Sequence, residues 1–383
     1  MPVRTAAERG NPAVLEQIGN RIAALQRVLK EKDMDAALIY DHENLIYFTG
    51  AVDLEGSVLC IPASGEAELL CPAMEARHIR ESTGVKTVTP YDFPCANESV
   101  SAAQWVASLG KKAPKVGFTR YFITLKDYLC LRQEVPEMQV CDLATDCYRI
   151  RSVKSGEEIA RIRRAAEILG AGMEAAVRFV RPGVKEYEVL AEADYAMRKA
   201  GSQGASFRMQ VLRHDRQMLM HPYAGDYVLG NDEPVVIHLG SSVDGYTAKM
   251  CRTVFLGAVP EETRKIYAAL CEAQKAAVSV LKPGVLCGEV YDAAYGRLER
   301  LGYGGMWIPY AGYGVGIRQS EFYPVIEKGS KTPLLENMVI DLLLPTIYLP
   351  GFGGPRITDT ILITAEGGEY LSNYSRGPIV KTF

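Results

Sequence analysis

The chain has 383 residues, 48% hydrophobic and 23% charged, a composition typical of a globular protein with room for two domains. Lys and Arg number 43 against 46 Asp and Glu, and this net charge of -3 argues against a general nucleic-acid binder. No stretch is apolar enough to span a membrane, and the N-terminus has no signal-peptide pattern. Nine cysteines without a CxxC pair favour a reducing setting, so we expect a cytoplasmic protein.

The first 152 residues alternate helical and strand patterns. Apolar residues between Val14 and Leu29 recur at three- and four-residue spacing, which predicts an amphipathic helix over residues 11–32. Further patterns predict strands over 36–40, 57–62, 66–71 and 115–119, and helices over 72–82 and 99–109. We therefore expect an α/β domain formed by residues 1–152.

A second domain is predicted over residues 153–383. Ser155 with Glu158 three residues later forms a capping box, which starts a long helix that ends before Pro182-Gly183. The patterns predict two helix pairs, 156–181 with 186–200 and 261–281 with 287–301, and strands over 234–239, 251–256, 338–344 and 356–364. A Pro-Gly step closes the first helix of each pair, so the pairs indicate an internal pseudo-repeat.

Motifs in both domains resemble the creatinase, prolidase, aminopeptidase P and methionine aminopeptidase family. They are residues 44–50, the run from His238 to Tyr246 with Arg252-Thr253, Gly312-Tyr313-Gly314, and Arg356-Ile357-Thr358-Asp359. The resemblance implies an N-terminal α/β domain and a C-terminal "pita-bread" domain, which has a curved antiparallel sheet and two pseudo-symmetric helix pairs. It also implies a homodimer in which the partner's N-terminal domain covers the site.

The resemblance places unusual residues where the family binds two divalent metal ions. The family uses two aspartates, one histidine and two glutamates, and the corresponding positions here are His238, Lys249, Tyr313, Leu343 and Thr358. A lysine ammonium has no lone pair and repels cations, so we expect no metal site and no cofactor. A zinc site formed by His221, His238 and Cys251 is an alternative, although these residues lack a metal-ligand spacing motif.

The main hypothesis for function is a metal-independent, creatinase-like hydrolase that cleaves a C–N bond of a small compound. The resemblance to creatinase gives His221 the role of general acid and base, with His238 as the other candidate. Lys249 and Tyr313 would bind an anionic group or stabilise developing negative charge. Both also have structural alternatives: an ion pair of Lys249 with Asp341 or Asp359, and aromatic packing of Tyr313 between two glycines.

The remaining candidates have weaker signals. Cys251 would be a nucleophile if a nearby lysine lowered its pKa, and otherwise a small buried apolar residue. Thr358 would face the substrate in the same cavity. Asp53 and Glu55 would suit a cationic or amine-bearing small-molecule substrate. Three other functions stay open: a metal-dependent Xaa-Pro aminopeptidase or prolidase, a non-catalytic ligand-binding member of the family, and a lyase.

Overall fold

A computed structural model describes residues 12–119, 123–205, 207–219, 222–306, 310–343 and 347–383. The chain divides into two compact units, Met1–Arg151 and Ser152–Phe383. Each unit has its own sheet and is described separately below.

The N-terminal unit contains a mixed sheet flanked by helices. Its helices are α1 (Pro12–Glu31), α2 (His42–Thr49), α3 (Ala76–Ser82), α4 (Glu98–Ser108), α5 (Leu125–Glu134) and α6 (Ala144–Ser152). Its strands are β1 (Ala36–Ile39), β2 (Val58–Pro62), β3 (Glu68–Pro72), β4 (Thr87–Tyr91), β5 (Lys115–Phe118) and β6 (Gln139–Asp142). The strand order is β4-β3-β2-β1-β5-β6, with antiparallel pairs only between β1 and β2 and between β2 and β3.

The predicted first helix is confirmed, whereas α2 has no counterpart in the predictions. Helix α1 buries Ile18, Leu25 and Leu29, which share one face at helical spacing. Asp41 caps α2 by accepting a hydrogen bond from the N–H of Asn44 at 3.2 Å. The helix ends at Gly50, whose φ of 77° lies in the left-handed region that favours glycine.

The C-terminal unit contains two helix pairs and an antiparallel sheet. Its helices are α7 (Gly156–Phe179), α8 (Glu186–Lys199), α9 (Glu261–Val280) and α10 (Cys287–Arg300). Its strands are β7 (Gln210–Leu212), β8 (Pro234–Val243), β9 (Tyr246–Leu256), β10 (Tyr310–Gly314), β11 (Glu321–Glu327), β12 (Val339–Leu343), β13 (Thr358–Ile363), β14 (Gly368–Tyr370) and β15 (Ile379–Lys381). The strand order is β11-β10-β12-β13-β9-β8-β7, with β14 on β13 and β15 on β9.

The two predicted helix pairs are present, and each packs as a pair. Helix α7 contacts α8 and lies on β8 and β9, and α9 contacts α10. Both hydrogen bonds of the predicted capping box form between Ser155 and Glu158. After the first helix of each pair, Gly183 and Gly284 have φ of 86° and 91°, so both Pro-Gly steps use the left-handed region that stops a helix.

Strands β8 and β9 form a long hairpin that fixes the register of the sheet. Its turn residues Asp244 and Gly245 have φ of 47° and 79°, and a type I′ turn requires positive φ at both positions. On the face turned to the helices, Arg252 is fully buried and contacts both carboxylate oxygens of Asp359, at 2.7 and 3.2 Å. These contacts give Arg252 and Asp359 a structural role in the sheet.

Among the described helices, none combines the length and the apolar character needed to cross a membrane.

Candidate functional site

Strand register brings most of the predicted site residues to one face of the C-terminal sheet. Directly opposed residues of antiparallel strands project to the same face, as do residues two apart on one strand. One row across the sheet runs through Gln210, His238, Cys251, Thr358 and the backbone of Leu343. The neighbouring row runs through Lys249, Thr360, Asp341 and Tyr313. The five positions of the family's metal ligands thus lie in two adjacent rows.

Lys249 forms a buried ion pair with Asp341. Its ammonium contacts the Asp341 carboxylate and lies 3.4 Å from the hydroxyl of Ser320. The side chains of Lys249 and Asp341 are 4% and 0% exposed, so water hardly screens the pair. Burial raises the pKa of Asp341, against the opposing effect of the Lys249 ammonium. Of the two predicted partners for Lys249, the structure selects Asp341.

The residues at the five ligand positions do not fit a two-metal centre. Two divalent cations need several carboxylate oxygens, and Lys249 places a positive charge among these positions. In the part of the chain that the structure describes, no three His, Cys, Asp or Glu side chains lie close enough together to hold a metal ion. His221, one of the three residues of the suggested zinc site, lies outside the described residues.

Cys251 lacks the properties of a nucleophile. It is fully buried and packs in a small apolar cluster with Leu212 and Val236. Burial raises the pKa of its thiol to about 12, although the charge of Arg356 opposes this rise. These contacts give no support to a thiolate activated by a lysine, and the alternative of a small buried apolar residue fits the structure.

His238 is less buried than its two neighbours in the row, Gln210 and Cys251. Its side chain is half-buried, and its ring centroid lies 4.8 Å from that of Phe207. The close approach of Phe207 requires a glycine at position 240, because a Cβ there would meet the Phe207 ring at 2.3 Å. Phe207 thus packs against the His238 ring and forms an aromatic wall beside it.

Tyr313 is held by aromatic packing between two glycines. Its ring centroid lies 5.5 Å from that of Tyr310 and 5.6 Å from that of Phe322, and burial raises its pKa above the ordinary tyrosine value. Its backbone N–H donates to Asp341 at 3.3 Å. A Cβ at Gly312 would lie 2.1 Å from the carbonyl oxygen of Asp341, so that glycine allows the close approach of β10 and β12. The structural alternative for Tyr313 therefore fits these contacts.

Three predicted residues are not part of the described strands of this sheet. The predicted acid and base His221 falls outside the described residues. Asp53 and Glu55 belong to the N-terminal unit and are exposed, with Asp53 3.8 Å from His78. Their role in binding a cationic substrate, and the homodimer through which a partner would cover the site, stay predictions.

Two family models match this chain, one in each half. The model described as "Metallopeptidase family M24" matches residues 160–365, and the model of the "Creatinase/Prolidase N-terminal domain" matches residues 21–153. The first of these spans more than half of the chain. The chain belongs to metallopeptidase family M24.

Curated relatives and solved structures agree with the M24 assignment over nearly the full length. The chain is 30% identical to the Xaa-Pro dipeptidase of Pyrococcus horikoshii, with 94% of this chain and 99% of the relative covered. It is 31% identical to the Xaa-Pro dipeptidase of Pyrococcus furiosus, with 93% and 98% covered. The crystal structure of the prolidase from Pyrococcus horikoshii OT3 has a TM-score of 0.84 at 28% identity and covers 93% of this chain and 99% of its own.

These comparisons confirm part of the predictions and overturn another part. The family, the pita-bread fold and membership of a hydrolase family are confirmed. The main functional hypothesis is wrong, because the relatives are Xaa-Pro dipeptidases and the family is one of metallopeptidases, not of metal-independent, creatinase-like C–N hydrolases. The prolidase alternative is the one that the comparisons favour.

The sequence predictions missed one charged residue of this M24 site, Arg356. It precedes Thr358 by two residues, which places both side chains on the same face of the extended chain. The motif Arg356-Ile357-Thr358-Asp359 contains this spacing, so the sequence held a signal for Arg356 as well as for the lost glutamate position.

Proposed function

We propose that this chain takes short Xaa-Pro peptides as its ligands. The observation that carries the proposal is the 30% identity to an Xaa-Pro dipeptidase along 94% of the chain, which includes both units. The relatives are named for substrates of this chemical class. The half-buried, aromatic-walled face around His238 and Phe207 offers apolar area of the kind that a proline ring can cover.

Cleavage of the peptide bond is the first candidate activity. It is favoured by the M24 assignment and by the dipeptidases among the relatives. In metallopeptidases, bound metal ions activate the attacking water and polarise the carbonyl. The residues at the five ligand positions do not fit such ions here, so we assign to the described residues only the binding and orientation of the peptide.

Binding without cleavage is the second candidate, and one specific observation favours it. The ammonium of Lys249 is paired with Asp341 and lies at a position where the family places a metal-binding aspartate. A chain that keeps the peptide cavity and fills the metal position with its own cation would retain affinity and lose turnover.

One experiment separates the proposed ligand class from the two activities. Gly-Pro is titrated into the purified full chain by calorimetry, and proline release is followed by chromatography with Mn²⁺, Co²⁺ or Zn²⁺ added and with a chelator. Gly-Leu, which has an apolar side chain of similar size and no proline ring, is the control peptide. We expect Gly-Pro to bind more tightly than Gly-Leu.

The outcomes have distinct meanings. Proline release that depends on added metal would establish the dipeptidase candidate, and binding of Gly-Pro without release would establish the second candidate. The proposal of Xaa-Pro peptides as ligands would be withdrawn if Gly-Pro bound no better than Gly-Leu.

A further inference from the structure

Arg356 is a half-buried arginine that pairs with no carboxylate in the described part of the chain. Its Nη1 donates to Gln210 Oε1 at 3.3 Å, and its Nη2 donates to the carbonyl oxygens of Gln217 and of Leu219, the latter at 3.3 Å. Its Nε is buried and has no hydrogen-bond partner among the described residues. A guanidinium has five N–H donors, so Arg356 keeps donors for a further acceptor.

The guanidinium reaches across the row that contains His238 and Thr358. Gln210, which accepts its hydrogen bond, is paired with His238, and the positive charge of Arg356 opposes the rise in the pKa of the Cys251 thiol. Thr358 is fully buried, and its hydroxyl has no hydrogen-bond partner among the described residues. Arg356 and His238 are half-buried, whereas Gln210, Cys251 and Thr358 are buried.

The charge of this face is opposite to that of a metal site. The family's ligand set brings four carboxylates together, and all four positions carry non-acidic residues here: His238, Lys249, Leu343 and Thr358. Lys249 is neutralised by Asp341, but Arg356 has no such partner among the residues that the structure describes. A buried charge without a counter-charge is expensive, because desolvation penalises it and nothing offsets the penalty. An anionic group on a ligand would supply the missing counter-charge.

We propose that Arg356 binds the carboxylate of the ligand, with the Thr358 hydroxyl as a second donor. An arginine binds a carboxylate with charge-assisted hydrogen bonds that are stronger than neutral ones. The inference rests on the proposed function only for the source of the carboxylate, which would be the C-terminus of the Xaa-Pro peptide. The unpaired positive charge of Arg356 does not depend on that source.

A purely structural role for Arg356 makes a different prediction. Through its contacts with the carbonyls of Gln217 and Leu219 it also holds the segment that follows β7. If that were its whole role, its loss would weaken acidic and neutral ligands alike. If Arg356 binds a carboxylate, its replacement weakens the binding of the acid and leaves the binding of the amide unchanged. The contrast between an acid and its amide therefore separates the two roles.

The experiment is a calorimetric titration of the full chain with Gly-Pro and Gly-Pro amide, and with acetate and inorganic phosphate as anion probes. Arg356→Gln is compared with Arg178→Gln, which removes the same charge from an exposed helical position. We expect Gly-Pro to bind at least about tenfold more tightly than its amide, a difference of about 1.4 kcal/mol. Arg356→Gln removes that preference, and Arg178→Gln leaves it intact.

A second pair of variants covers the case in which Arg356→Gln does not fold. Gln210→Glu places a carboxylate against Nη1 of Arg356 and is expected to abolish the preference for the acid, whereas Gln210→Met, which has a similar size and no charge, is expected to keep it. Equal binding of acid and amide by the unmodified chain would overturn the proposal, as would a preference for phosphate over every carboxylate. Acetate binding that depends on Arg356, without binding of Gly-Pro, would support the carboxylate site and refute the Xaa-Pro ligand class.

Discussion

At the residue scale, the two partners of the Lys249–Asp341 pair depend on each other. Both side chains are almost completely buried, and the Asp341 carboxylate also accepts a hydrogen bond from the Tyr313 N–H. Mutual attraction offsets the desolvation of two charges, and removal of one partner leaves the other uncompensated.

Substitution of Lys249 by methionine is expected to destabilise the protein strongly. The variant leaves the Asp341 carboxylate buried without its cation, which lowers the free energy of unfolding by about 3–5 kcal/mol. Urea unfolding followed by circular dichroism measures the change. The double variant Lys249→Met/Asp341→Leu removes both charges and should recover most of the loss. A single variant as stable as the unmodified chain would show that the pair is not buried as described.

Cys251 is expected to resist alkylation in the folded protein. With a thiol pKa of about 12, only about one molecule in ten thousand carries the reactive thiolate at pH 8, and burial also blocks access. Cys95 is exposed and serves as the internal control. Iodoacetamide treatment followed by peptide mass spectrometry should modify Cys95 in the native protein and both cysteines after unfolding. Rapid native labelling of Cys251 would restore it as a candidate nucleophile.

At the element scale, helix caps and strand register differ in how far the sequence reveals them. The Ser155 capping box was readable because its two residues are local, and the structure forms it. Helix α2 was not readable, because six consecutive residues from Asn44 to Thr49 are buried and give no alternation between faces. The sequence left Asp341 and Asp359 as possible partners of Lys249, because the pairing of β12 across the sheet involves residues far apart in the sequence.

Loss of the Ser155 cap is expected to destabilise the C-terminal unit modestly. Ser155→Ala removes the acceptor for the N–H of Glu158, which costs about 0.5–2 kcal/mol in measured helix caps. Ser279→Ala on α9 is the matched control, because that serine is exposed and bonds only within its own helix. Urea unfolding of both variants compares the two sites. Equal stabilities of the two variants would contradict a stabilising role for the cap.

At the scale of the whole molecule, similarity and site chemistry answer different questions. The fold follows from sequence patterns spread over both units, and these patterns were sufficient to indicate the family. The chemistry depends on a few side chains, and there the chain departs from its family at Lys249, Tyr313 and Thr358. Resemblance along the whole chain therefore predicted the correct architecture. The substituted residues alone led to a creatinase-like function, whereas the relatives are Xaa-Pro dipeptidases.

Divalent metal ions are expected to leave the thermal stability of the chain unchanged. A ligand that binds the native state raises stability in proportion to the logarithm of its concentration over its dissociation constant. Because the ligand positions hold Lys249 and no carboxylate, saturating Mn²⁺, Co²⁺ or Zn²⁺ should not raise the unfolding temperature in differential scanning calorimetry. The Xaa-Pro dipeptidase of Pyrococcus horikoshii, treated with the same ions, is the comparison protein. A clear upward shift for this chain would show a metal site that its described residues do not reveal.

The pairing of Lys249 with Asp341 also has a consequence for the cell that makes the protein. Four carboxylates on one face of a sheet repel one another until cations bind to them. The charge balance of such a face therefore depends on the supply of metal ions during and after synthesis. Here the balancing cation is encoded in the polypeptide and is present as soon as β9 and β12 come together. Charge balance between these two strands is therefore independent of the surrounding metal concentration.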